Sequence, residues 1–184
     1  DTEAASAFET ALDGPTAADP LAHFGRGLTH LRQGQLDAAR REIEIAVLLD
    51  PSNAELRSYL GRAYMDEARD KQATDQFALA RRLDPASPTP WYFDAFRKLQ
   101  GRDFVGAIND GETAMALNDN RVVLRGGALI DQDRAARSAS LGDAYREAGF
   151  YGPMQARAMS ALDDDPQSPA AHRLLADAYT DTPR

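Results

Sequence analysis

The chain has 184 residues, 43% of them hydrophobic and 27% charged, which is ordinary for a soluble protein and enough for one domain with a continuous core. A net charge of −8 argues against a general nucleic-acid binder or a ligand of anionic membranes, both of which need a concentrated positive surface. The absence of cysteine excludes thiol catalysis, disulfides and cysteine-based zinc sites, and no run approaches the roughly 18 apolar residues of a membrane span.

The chain opens on the acidic, small-residue run Asp1–Ala5, which does not read as a signal peptide. Thr2 to Asp13 reads as a lone helix with Ala4, Phe8 and Ala11 in register, followed by a linker to residue 19. Asp19-Pro20 then looks like an N-cap with proline at the first helical position, a grammar that recurs at Ser87-Pro88 and Ser168-Pro169. The helix it starts carries Phe24, Gly27, Leu28 and Leu31 and is expected to stop near Gly34. A second helix follows with Ala39, Ile43, Ala46, Val47 and Leu49, and ends at Asp50-Pro51 because proline disfavours helical geometry in the residue before it.

The pattern then repeats. Residues 54–87 carry Leu60-Gly61, Tyr64, Ala73, Phe77, Ala80 and Leu83-Asp84-Pro85. Residues 88–121 carry Trp91, Ala95, Phe104, Ala107, Ala114 and Leu117, with Gly111 where a large residue is expected and no closing proline. Residues 122–134 interrupt the series, residues 135–168 resume it with Leu141-Gly142, Tyr145, Gly149, Ala161-Leu162 and Asp165-Pro166, and residues 169–184 read as a lone first helix. Gly27, Gly61, Ala95, Gly142 and Ala176 are spaced 34, 34, 47 and 34 residues apart, and Ala46, Ala80, Ala114 and Ala161 keep the same steps. Pro51, Pro85, Asp119 and Pro166 step identically, so three landmarks share a period of 34 and one interruption of 13, the mark of stacked helix–turn–helix units. Small residues such as Gly27 and Ala39 fall where the two helices of a unit cross, and Tyr64, Phe77, Phe104, Tyr145 and Tyr179 are expected to fill the wider gaps. The half units at the two ends read as parts of a longer array rather than as caps, with Phe8 and Leu174 in need of partners.

This organisation resembles the tetratricopeptide repeat family. The resemblance implies an all-α solenoid, a right-handed superhelix of antiparallel helix pairs, with about four full repeats, a half repeat at each end, and a concave face lined by the first helices. His30 and Lys98 depart from the family where an aromatic is usual. The stretches Leu117–Arg121, Asp131–Leu141 and Ala171–Asp177 also resemble bacterial cell-envelope proteins in which a repeat domain precedes an outer-membrane barrel, implying a periplasmic part of a larger protein. The arginine-rich basic set, with only Lys71 and Lys98 as lysines, fits a bacterial source, and a cytoplasmic location is the alternative.

On such a face the first helices present Leu21, Phe24, Leu28, Leu31 and Arg32, then Tyr59 and Arg62, then Tyr92, Phe93 and Phe96. These form a candidate groove for a protein or peptide segment, with apolar anchors and an arginine for a partner carboxylate. Packing against neighbouring helices is the competing use of the same side chains. A chaperone-tail adaptor is not expected, because Phe24 and Leu28 stand where such proteins clamp a carboxylate. The insertion reads first as a spacer that tucks Leu124, Leu129 and Ile130 away, with Arg121, Arg125, Arg134 and Arg137 as a candidate contact for a partner or an anionic group. His23 and His30 are seven residues apart, about 10 Å along one helix, which is too far to share a metal. Asp163–Asp165 lacks the alternating ligands of a calcium loop, and no phosphate loop or nucleophile–base grouping stands out. The expectation is a non-catalytic interaction scaffold without cofactor or metal, with self-association or regulation of a larger polypeptide as the alternatives.

Overall fold

The computed structural model describes residues 19–118 and 138–181. All regular structure among them is helical. The helices are α1 (Pro20–Arg32), α2 (Leu36–Leu49), α3 (Ala54–Asp66), α4 (Asp70–Leu83), α5 (Thr89–Gln100), α6 (Phe104–Asn118), α7 (138–147), α8 (Tyr151–Asp164) and α9 (Pro169–Asp181). The chain divides into two compact units, Asp1–Phe93 and Asp94–Arg184. The expected lone helix Thr2–Asp13, the insertion 122–134 and the junctions around it lie outside the described residues.

The starts of the helices follow from short polar side chains. Asp19 accepts from the Leu21 N–H at 2.9 Å, with Pro20 in the first turn where its missing N–H costs nothing. Asn53 accepts from the N–H groups of Glu55 and Leu56, and Ser168 Oγ from that of Ala171. The start at Ser87-Pro88 differs from its expectation. Helix α5 begins at Thr89 rather than Pro88, and the Pro88 carbonyl accepts the first helical bond, from Tyr92 N–H at 3.0 Å. Pro90 thereby takes the first turn, which satisfies the same rule one step later.

One turn is used four times. After α1, α3, α5 and α7, the residues Gly34, Ala68, Arg102 and Gly149 all adopt φ between 58° and 78°. Each donates its N–H three residues back, and the next residue donates five back: Gln35 to His30, Arg69 to Tyr64, Asp103 to Lys98 and Phe150 to Tyr145. This Schellman closure satisfies the carbonyls left over at a helix end and reverses the chain within a few residues. Its positions step by 34, 34 and 47, the spacing of the sequence landmarks. At the ends of α2, α4 and α8, Asp50, Asp84 and Asp165 each donate their N–H back to an alanine carbonyl, and prolines then stop the helix.

In the first unit, α1 packs on α2, α3 on α4, and α2 on α3. Ile43, Ala46, Val47, Leu56, Leu60 and Ala63 form its core, with Phe24, Leu31, Tyr59 and Tyr64 partly buried against them. Gly27 and Gly61 allow the close crossings. A Cβ on Gly27 would lie 2.7 Å from Ile43 and 3.2 Å from the Ala39 carbonyl, and one on Gly61 would lie 2.5 Å from the Phe77 ring. In the second unit α8 packs on α9, and Met154, Ala158, Leu174 and Ala178 form a core with Tyr145, Tyr151 and Leu175 against it. There the close approach is filled from a helix further along the chain. Leu141 of α7 fills the space beside Gly111, and Leu174 of α9 that beside Gly142.

Two expectations are corrected here. Leu174, expected to need a partner beyond the half unit, is buried at 2% exposure and finds its partners within this core. Tyr179, expected to fill a gap, is 69% exposed.

Candidate partner-binding face

The first helices of the first unit bring three rings from residues far apart in sequence into one row. Phe24 of α1 meets Tyr59 of α3 at 5.1 Å between centroids with planes at 71°, and Tyr59 meets Phe93 of α5 at 5.2 Å and 78°. These are edge-to-face contacts, each contributing about 0.5–1.5 kcal/mol beyond the area they bury. Tyr92 and Phe77 extend the cluster, at 5.9 Å and 6.4 Å from Phe93. Arg62, one turn beyond Tyr59 on α3, lies over Phe93 with its guanidinium carbon 5.6 Å from the ring centroid. Its Nε donates to both Asp66 carboxylate oxygens at 2.9 Å.

The candidate groove residues fall into three groups. Leu21 (61% exposed) and Arg32 stand in solvent. Phe24, Leu28, Leu31, Tyr59, Arg62, Tyr92 and Phe96 are half-buried, so Phe24, Leu31 and Tyr59 cover the core and still show surface. Phe93 is buried at 7% and serves as the floor beneath Arg62. Arg121, Arg125, Arg134 and Arg137 lie outside the described residues.

The corresponding face of the second unit is ionic. Arg146 of α7 reaches Asp143 and Glu147 at 3.6 Å and Asp177 of α9 at 3.4 Å. Burial raises the Asp143 carboxyl above its ordinary value, against the pull of Arg146 and Arg173. Nearby, Glu112, Tyr145, Pro153, Ala156 and Arg157 line a shallow pocket of about 210 Å³.

Sequence patterning marks Tyr64 and Tyr145 as fillers, but each also locks one helix pair to the next. The Tyr64 hydroxyl donates to Glu44 at 2.8 Å, and the Tyr145 hydroxyl donates to Glu112 at 2.6 Å. Burial and the carboxylate together push the Tyr64 phenol up to about 12 and raise that of Tyr145. An arginine holds each carboxylate: Arg40 binds Glu44, and Arg157 binds Glu112. Burial disfavours the charge of Arg40, but bonds to Glu44, Asp37 and Glu67 outweigh it and hold the guanidinium protonated. A signal is present in the sequence, since Glu44 and Glu112 each fall 17 residues after a landmark small residue, Gly27 and Ala95.

Lys98, at a place where an aromatic is usual, instead bonds the buried Asp110 at 2.6 Å and approaches the buried Asp94 at 3.8 Å. The histidines are engaged locally: His23 with Glu42 at 2.8 Å, His30 with Gln35 at 2.6 Å, and His172 with the Pro166 carbonyl at 2.8 Å. Among the described residues no group of three or more His, Asp or Glu could hold a metal ion, and no helix is long and apolar enough to cross a membrane.

Helix hairpins closed by one recurring turn and packed through close crossings define a helical-repeat protein. The family model described as "Tetratricopeptide repeat" matches residues 2–43 and 24–88, and this stretch of the chain is built of tetratricopeptide repeats. A chain of the APC/C hetero-tetramer Cut9–Hcn1 matches with a TM-score of 0.83 at 20% identity, over 97% of this chain and 33% of that one. A thermophilic tetratricopeptide repeat protein of Thermus thermophilus matches with a TM-score of 0.77 at 20% identity, over 96% of this chain and 89% of that one. YrrB, a repeat protein with an unusual peptide-binding site, matches with a TM-score of 0.62 at 19% identity, over 96% of this chain and 84% of that one. At such identities these likenesses establish the fold. The chain spans a third of the Cut9–Hcn1 chain it matches. A search of curated proteins finds no match. Tetratricopeptide repeat proteins are in general non-catalytic scaffolds that bind protein or peptide partners.

Proposed function

We propose that the chain is a protein-interaction scaffold whose first unit holds an apolar segment of a partner against the face of α1 and α3. The observation that carries this reading is the aromatic row. Phe24 and Tyr59 are fixed edge-to-face on a packed core, yet remain half-buried rather than closed over. Rings held this way lose little freedom on binding, so a partner's side chain meets a prepared surface. Leu21 and Leu28 on the same helix extend the apolar area. The peptide-binding site of YrrB, on a similar fold, supports the class of ligand. We further propose the repeat limits 20–53, 54–87, 88–121 and 135–168, and a place in a bacterial envelope assembly, on the likeness carried by residues 117–183.

Affinity capture from lysate of the source organism tests this reading, with the whole chain as bait and Phe24→Asp as the control bait. A protein held by the wild type and lost by the equally helical variant supports the face. Equal capture by both places binding elsewhere.

A further inference from the structure

Arg62 joins the aromatic row in a way that its own fold does not use up. Its Nε is committed to both oxygens of Asp66, and its guanidinium plane is steadied over Phe93. Its two Nη groups have no acceptor among the described residues, while the side chain remains 39% exposed. The head group is thus held at two points on buried or half-buried partners and offers a fork of N–H donors at the edge of the apolar surface. A guanidinium so positioned suits a planar, negatively charged acceptor, which can take two parallel bonds from it.

We propose that the segment bound by this face carries an aspartate or glutamate side chain beside its apolar anchor, and that the Nη groups of Arg62 receive it. The proposal rests on the reading of the face as a site for an apolar segment. It adds the charge of that segment and the residue that selects it. The anchor covers Phe24 and Tyr59, and the carboxylate lies one helical turn along α3 from Tyr59, over the edge of Phe93. Asp66 takes the Nε donor alone and leaves the Nη donors for the incoming group.

The test uses fluorescent twelve-residue peptides, acetylated and amidated, with a Phe-x-x-Leu core flanked by Glu, Gln or Lys. A fourth peptide has Gln flanks and a free C-terminal carboxylate. Binding to the whole chain is read by anisotropy at low salt. The Glu peptide is expected to bind about fivefold more tightly than the Gln peptide, the scale of a half-exposed charge pair. That preference should vanish in Arg62→Gln and pass to the Lys peptide in Arg62→Glu. Equal binding of the Glu and Gln peptides, or a preference that survives Arg62→Gln, overturns the proposal while leaving the apolar face intact. Tightest binding of the free-carboxylate peptide overturns it in favour of a chain terminus. No binding of any peptide removes both the proposal and the reading beneath it.

Discussion

The two units solve the same packing problem with different parts. In the first, each close crossing belongs to one helix pair: Gly27 receives Ile43, and Gly61 receives Phe77, from the partner helix of the same hairpin. In the second, the space beside Gly111 and Gly142 is filled by Leu141 and Leu174, each from a helix that follows. The exposed faces differ in the same sense. The first unit shows aromatic rings and the second shows Arg146 among Asp143, Glu147 and Asp177. A hairpin that fills its own crossing leaves its first helix free to carry large side chains outward. A hairpin that depends on its successor is specified only as part of a series. A fixed repeat length therefore fixes the backbone, while the knob that fills each hole is interchangeable.

The largest expected effect breaks the second unit. Leu174→Ala removes a side chain that is 2% exposed and seated beside Gly142, and should cost about 2–5 kcal/mol in denaturant unfolding. The cost should be shared by α7, α8 and α9, seen as loss of amide protection across all three. Next, Gly61→Leu drives a side chain into Phe77 and should cost about 1–3 kcal/mol. In the second unit Gly111→Leu, at the place that Phe77 holds one repeat earlier, meets Leu141, whose Cδ1 would lie 2.8 Å from the new Cβ. Adding Leu141→Ala should restore part of the loss, and strict additivity of the two changes would contradict the account of how this hole is filled.

The tyrosine locks sharpen the comparison at a smaller scale. Tyr64→Phe and Tyr145→Phe should each cost about 1 kcal/mol at neutral pH. Because folding raises the Tyr64 phenol above its unfolded value, its contribution is full below about pH 10 and lost as pH climbs through about 12. Wild-type stability should therefore fall over that window more steeply than that of Tyr64→Phe. The smallest effect has the opposite sign. Ala68 and Arg102 occupy left-handed positions that Gly34 and Gly149 fill without strain, so Ala68→Gly and Arg102→Gly should each stabilise by about 0.5–1 kcal/mol in thermal melts.

Much of this fold is legible in the sequence because spacing survives where residue identity does not. The landmarks at Gly27, Gly61 and Gly142 mark the crossings, and Asp-Pro at residues 50, 84 and 165 marks the helix ends. The left-handed turn is half hidden, since only two of its four residues are glycine. Gly111 reads as a defect because its filler lies 30 residues away, in another hairpin. Tyr179 and Leu174 mislead for the same reason, since helical spacing gives the face of a helix but not which neighbour covers it. For the candidate site, the pattern puts Phe24, Tyr59 and Phe93 on first helices, where they lie. It does not separate the half-buried rings from the buried floor, nor reveal that Asp66 pins Arg62, because both depend on side-chain packing between elements.

The central claim is that the aromatic face of the first unit, and not the ionic face of the second, engages a partner. Its most direct measurement is the affinity of the Phe-x-x-Leu peptide with Glu flanks for the wild-type chain, for Phe24→Asp and for Arg146→Ala, each verified as helical by circular dichroism. The account predicts that binding is abolished by Phe24→Asp and unchanged by Arg146→Ala. Binding that survives Phe24→Asp and falls with Arg146→Ala would contradict it.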